Sequence, residues 1–175
     1  MNNVSEWLPG IAAMANVHPL FVHFPIALLS AFVAVEAGAS LLRREDWRAA
    51  ASALLYLGTV GAMAAVTAGW LAAQSVPHSD AVHDILERHE YFGFSVLTLA
   101  LLLSIWRLWR GARFGRFERG CHFLFALLMA GIMTVGADLG GLMVYGHGVG
   151  VSVVRVDPEN HHHHNAPDSH EHSHD

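Results

Sequence analysis

Four long apolar stretches constrain this chain more than any other feature. Leu20 to Leu42 is interrupted by His23 and Glu36, and Ala49 to Ala73 carries no charge. A third stretch runs from Tyr91 to Trp109, and a fourth from Phe123 to Tyr145 with Asp138 as its one charged residue. Each is about the 20 residues with which an α-helix crosses the roughly 30 Å hydrocarbon layer of a bilayer. Backbone groups in lipid must be satisfied within the segment, so helices are the expected form. A soluble bundle would need a polar face on each helix, which these runs lack. The expected fold class is therefore all-α, an integral membrane four-helix bundle over residues 18–156 with spans at 20–42, 49–73, 91–109 and 123–145. Residues 1–17 read as an outer N-terminal segment, without the cationic start and long apolar run of a signal peptide. Residues 157–175 are polar and His-rich with no apolar periodicity, and read as a disordered tail.

Charged residues make up only 14 % of the chain, against about 25 % in a soluble domain. That disfavours an ordinary soluble enzyme. A net charge of -5 supplies no basic face for nucleic acid. Cys121 is the single cysteine, so neither an intrachain disulfide nor a thiolate cluster can form. No nucleophile elbow, HExxH helix or P-loop occurs, so an independent hydrolase or transferase is not expected.

Arginine placement sets an expected orientation. Arg43, Arg44 and Arg48 join the first stretch to the second, and Arg107, Arg110, Arg113, Arg116 and Arg119 join the third to the fourth. Only Arg88 and Arg155 fall on the other side, and there is no lysine. The positive-inside rule makes the arginine side cytoplasmic, which places both termini in the periplasm of a bacterial inner membrane. Trp47, Trp106 and Trp109 then suit the cytoplasmic interface and Trp70 the outer one.

Histidine is segregated the opposite way. His18, His23, His78, His83, His89 and His147 lie at outer ends, as do the tail residues His161, His162, His163, His164, His170, His172 and His174. His122 alone is cytoplasmic. Neutral imidazole is not what the insertion rule counts, so this asymmetry needs its own cause. Imidazole is a common axial ligand of haem iron and a ligand for zinc and copper, and helix bundles hold cofactors between facing helices. No Cys-x-x-Cys-His stretch occurs, so haem here would be noncovalent and b-type. The candidate ligands are His18, His23, His89 and His147, with Arg88 a partner for a haem propionate; the tail histidines are candidates for a divalent or copper ion.

Each also has a plainer reading. His18 precedes Pro19, which favours a first helical turn, so a boundary role is natural. His23 lies inside an apolar run, where polar groups are costly and usually functional. Pro25 should kink the helix beside it and aim the imidazole inward. Glu36 and Asp138 are expected to be hydrogen-bonded neutral carboxyls, with a proton path as the other reading. Gly136 and Gly140 form a GxxxG pair suited to close helix packing.

HPLFVHFPIALL, His18 to Leu29, and GGLMVYGHGVGV, Gly140 to Val151, are distinctive. Together they resemble a bacterial family of small four-helix membrane proteins, domain-of-unknown-function family 2231, over about residues 17 to 156. His18, Pro19, His23, Pro25, Gly140, Gly141, His147 and Gly148 carry the likeness. The resemblance implies no settled activity. It implies a redox setting, since related domains occur fused to c-type cytochrome or Rieske iron–sulfur domains. The His-rich tail departs from the common pattern.

Three functions follow as expectations. The first is a membrane electron-transfer protein with haem b at the outer face, working between a quinone in the bilayer and a periplasmic cytochrome or Rieske protein. The second is a copper, zinc or nickel binder or transporter using the tail. The third is a structural anchor of a redox complex. A homo-oligomer is compatible with each.

Overall fold

The computed structural model describes residues 17–75, 80–111 and 114–150, together with Trp7, Leu8 and Ile11. The expected tail, its seven histidines and His78 lie outside the described residues. Within them the chain is helical, in the order α1 (His18–Leu41), α2 (Trp47–Ser75), α3 (Asp80–Arg110) and α4 (Arg116–Gly141). One wide π-type turn, Leu142–Gly146, continues α4. All four are long and apolar enough to cross a membrane. α3 and α4 start well before their apolar stretches because the charged turns DAVHDILERHE and RFERGC continue the helices outward. At about 1.5 Å per residue, the 31 residues of α3 outrun the hydrocarbon layer.

Apolar and small residues recur at steps of three and four on each helix, which turns one stripe inward. On α1 the stripe is Pro25, Leu29, Phe32, Glu36 and Ala39, and on α4 it is His122, Ala126, Met129, Met133 and Gly136. Leu55 and Ala51 of α2 and Val96, Ala100 and Leu103 of α3 complete the core. Lipid gives helices no hydrophobic drive to associate, so the bundle depends on close packing, and Ala51, Ala100 and Ala126 allow it. Many other large apolar side chains, such as Phe24, Leu57, Trp70, Leu102 and Leu124, face out. Only 22 % to 33 % of each helix's most apolar window is buried inside the bundle, and the outward remainder is a large apolar surface of the kind lipid covers.

α1 packs mainly on α2, α3 on α4, and α2 on α3, while a lighter contact between α1 and α4 closes the ring. The α1–α2 turn is tight. Arg43 adopts a left-handed backbone (φ 54°), which costs a non-glycine residue about 1–2 kcal/mol. The Arg44 amide donates to the Ala39 carbonyl at 3.0 Å, and its guanidinium forks onto Asp46 at 2.8 and 3.0 Å.

α4 begins with a side-chain cap: the Glu118 carboxylate accepts from the Gly115 amide at 3.0 Å. Glu118 also pairs with Arg110 at the end of α3, at 2.6 Å.

Candidate functional site

His18 opens α1 seven positions before Pro25, and His89 stands seven positions before Val96 on α3. Two helical turns return a side chain to nearly the same face, so both imidazoles point into the bundle. The His18 Nδ1–H donates to the Ala65 carbonyl of α2 at 2.9 Å, and the His89 Nδ1–H donates to the Gly136 carbonyl of α4 at 2.8 Å. The rings meet across the bundle with centroids 6.2 Å apart and planes at 85°. Four helices thus build one pair of imidazoles.

Two glycines make room for it. A Cβ at Gly69 would stand 2.9 Å from His18 Cε1, and one at Gly140 would stand 3.2 Å from His89 Cε1. In each ring the Nδ1–H is committed to a backbone carbonyl. A helix carbonyl on the far nitrogen is the usual second shell of a metal-bound histidine.

The other expected ligands stand elsewhere. His23 is exposed, and its Nδ1–H folds back to the Pro19 carbonyl of its own helix at 2.7 Å. Five positions after His18 is 140° around the helix, so it leaves the inward stripe. α1 continues through Pro25, which packs against Gly61, and the imidazole is not aimed inward. His147 is exposed too. In an unbroken α-helix it would share the face of Gly140; the π turn at Leu142–Gly146 shifts that register. Arg88 does not face the imidazole pair. It lies exposed beside Glu87 and Tyr91, opposite Val135 and Leu139 of α4. Among the described residues no three metal-binding side chains cluster.

A second polar cluster occupies the arginine-rich end. Glu36, 3 % exposed, accepts from Arg48 of α2 at 2.7 Å and from Arg107 of α3 at 2.8 Å. Arg107 also donates to Ser52 Oγ at 2.9 Å and to the Arg48 carbonyl at 3.1 Å, and lies over the Phe32 ring. The expected neutral carboxyl is instead an ion-paired one. Glu45 in the α1–α2 turn extends the network to Arg48 and to Arg119 of α4, at 2.8 and 2.9 Å. The Arg48 hydrogen bond, and then that of Arg119, hold the Glu45 carboxyl below the ordinary carboxylate range.

His122 is buried nearby. Its Nε2–H donates to the Leu103 carbonyl at 3.2 Å, and Phe32, Trp106 and Phe114 surround it. It is a core histidine. Asp138 is exposed.

No curated protein and no solved structure matches the chain. A family model described as predicted membrane protein (DUF2231) matches residues 14–153, which include both imidazoles and the arginine cluster. With four apolar helices behind that match, the chain belongs to DUF2231, a family of predicted membrane proteins.

Proposed function

We propose that this protein transfers electrons in a bacterial inner membrane and holds one b-type haem between His18 and His89. The observation that carries this reading is the imidazole pair itself, 6.2 Å between centroids, each ring fixed in one tautomer by a backbone carbonyl. Two metal–nitrogen bonds of about 2.0–2.1 Å would fit between imidazoles at about this spacing once both Nε2 atoms turn toward one ion. His18 of α1 and His89 of α3, on opposite sides of the bundle, are the residues that would hold it. Gly69 and Gly140 keep the flanks free of side chains.

Haem supplies one-electron chemistry when bound. The protein's own task is to hold two imidazoles in one tautomer, exclude water and set the site near one membrane face. Two histidines leave an iron no open position, which suits electron transfer rather than substrate chemistry. The arginine excess supports an orientation with the imidazole end and both termini on the periplasmic face. A quinone in the bilayer and a periplasmic cytochrome or Rieske protein are partners within reach of such a site.

The test is haem content in single variants of protein truncated before His161 and expressed with haem supplied. His18→Ala and His89→Ala should each lower haem roughly tenfold or more, with membrane insertion unchanged. His23→Ala and His147→Ala should keep it. Full haem in inserted His18→Ala or His89→Ala protein contradicts the reading.

A further inference from the structure

Two buried side-chain donors among the described residues have no acceptor, Arg110 Nε and Arg119 Nε. Both stand at the arginine-rich end, in the last turn of α3 and the first turn of α4. A buried donor without a partner calls for an acceptor that comes from outside the chain. The carboxylates of that end cannot supply it. Eight arginines share the end with Glu36, Glu45, Asp46 and Glu118, and each carboxylate is already taken. Glu36 holds Arg48 and Arg107, Glu45 holds Arg48 and Arg119, Asp46 holds Arg44, and Glu118 holds Arg110. Arg43 and Arg116 are exposed and enter no ion pair among the described residues.

The open positions select the ligand chemistry. Arg119 donates Nη1 to Glu45, which leaves its Nε–Nη2 edge open. Arg44 uses that same edge to fork onto Asp46. Such a fork matches two oxygens of a phosphate as well as those of a carboxylate. Arg116 precedes Arg119 by three positions and so lies on the same side of α4. The Arg110–Glu118 pair ties the end of α3 to this turn. The arginines therefore gather where α3 ends and α4 begins, and the side chains of Arg110 and Arg119 are partly exposed there. Trp109, just before Arg110, and Phe117, just after Arg116, are both 84 % exposed. Guanidinium beside exposed aromatic rings suits an amphiphile, whose head meets the charge and whose chains lie on the rings. Basic sites between helices at the cytoplasmic face take anionic lipid heads in this way.

We propose that this α3–α4 corner binds the phosphate of an anionic phospholipid, with Arg116 and Arg119 on its oxygens, Arg110 beside them, and Trp109 and Phe117 against its chains. The site lies at the end opposite the imidazole pair and stands with or without haem.

The experiment titrates full-length protein in uncharged detergent with dioleoyl phosphatidylglycerol, and with dioleoyl phosphatidylcholine as the zwitterionic control. Retained lipid per chain is read after gel filtration, and circular dichroism checks folding. The wild-type protein should retain phosphatidylglycerol roughly tenfold more tightly than phosphatidylcholine, and added salt should narrow the difference. Arg116→Gln and Arg119→Gln should each weaken phosphatidylglycerol roughly fivefold, the effect of about one basic residue at a membrane surface. Arg88→Gln removes an exposed arginine from the other end and should change nothing. Equal retention of the two lipids overturns the proposal, and so does wild-type retention in folded Arg116→Gln and Arg119→Gln protein. An equal loss in Arg88→Gln protein shows an effect of net charge and overturns it too. Displacement by inorganic phosphate at equal concentration identifies a site for a free anion, which overturns the assignment to lipid.

Discussion

Arg107 of α3 reaches Glu36 of α1 at 2.8 Å, although no Cα of α1 comes within 8 Å of one in α3. The same diagonal is bridged at the other end by His89 and His18. Eighteen positions separate His18 from Glu36, and eighteen separate His89 from Arg107. That is five helical turns, or about 27 Å, close to the thickness of the hydrocarbon layer. Between the two bridges lies the apolar core around Leu29, Phe32, Val96 and Ala100. The bundle is tied across its diagonal at each end, by imidazole at one and by an ion pair at the other.

The ion pair gives a stability prediction. Glu36→Gln leaves two guanidiniums, Arg48 and Arg107, facing a neutral amide in a buried site. Breaking a buried pair costs about 3–5 kcal/mol, so unfolding in a detergent titration should shift accordingly. Glu36→Gln combined with Arg107→Met should cost less than the sum of the single changes, with a coupling of roughly 1–3 kcal/mol. Additive single effects would mean the contact contributes nothing on its own.

The glycines give a second. Gly69→Val and Gly140→Val each place a side chain where His18 or His89 now stands. Overpacking of this kind costs about 1–3 kcal/mol, and it should displace the imidazole and lower haem content as His18→Ala does. Gly141→Val meets open space and should leave haem content unchanged. Equal haem in all three variants would contradict the arrangement of the pair.

Acid should loosen the α1–α2 turn late. The Glu45 carboxyl is held low by Arg48 and Arg119, so its contribution is present above the unfolded carboxylate range, near 4.3 for Glu. It is lost as pH falls through the lower folded value. The group is exposed, so the effect is small. Glu45→Gln should remove that part of the acid limb, measured as unfolding midpoint against pH, and an unchanged acid limb would show that the pair does not form.

The helices and the membrane environment were legible because lipid demands long apolar runs and internal backbone bonding. The candidate site was legible in part. His18 and His89 stood out as imidazoles at the end opposite the arginines, but so did His23 and His147. What separates them is phase. His18 and His89 keep a seven-residue step to Pro25 and Val96, and His23 does not. His147 does keep such a step to Gly140, and only the π turn removes it, which no spacing reveals.

Arg107 and Arg48 were counted for orientation alone, yet Arg107 lies on the stripe of Val96, Ala100 and Leu103. The equal spacing of His18 to Glu36 and His89 to Arg107 was present in the chain as a signal for both bridges. The hydroxyl pair of Thr59 and Ser104, 2.9 Å apart in the core, has no comparable mark, since Thr and Ser in apolar helices mostly bond their own backbone.

A reduced-minus-oxidised visible spectrum of protein truncated before His161 tests the haem reading most directly. Removing the tail eliminates haem scavenged by its histidines. Sharp b-type bands at close to one haem per chain, absent in His18→Ala and in His89→Ala protein, are the expected result. A featureless spectrum from folded, haem-supplied protein, or bands that survive loss of either imidazole, would contradict it.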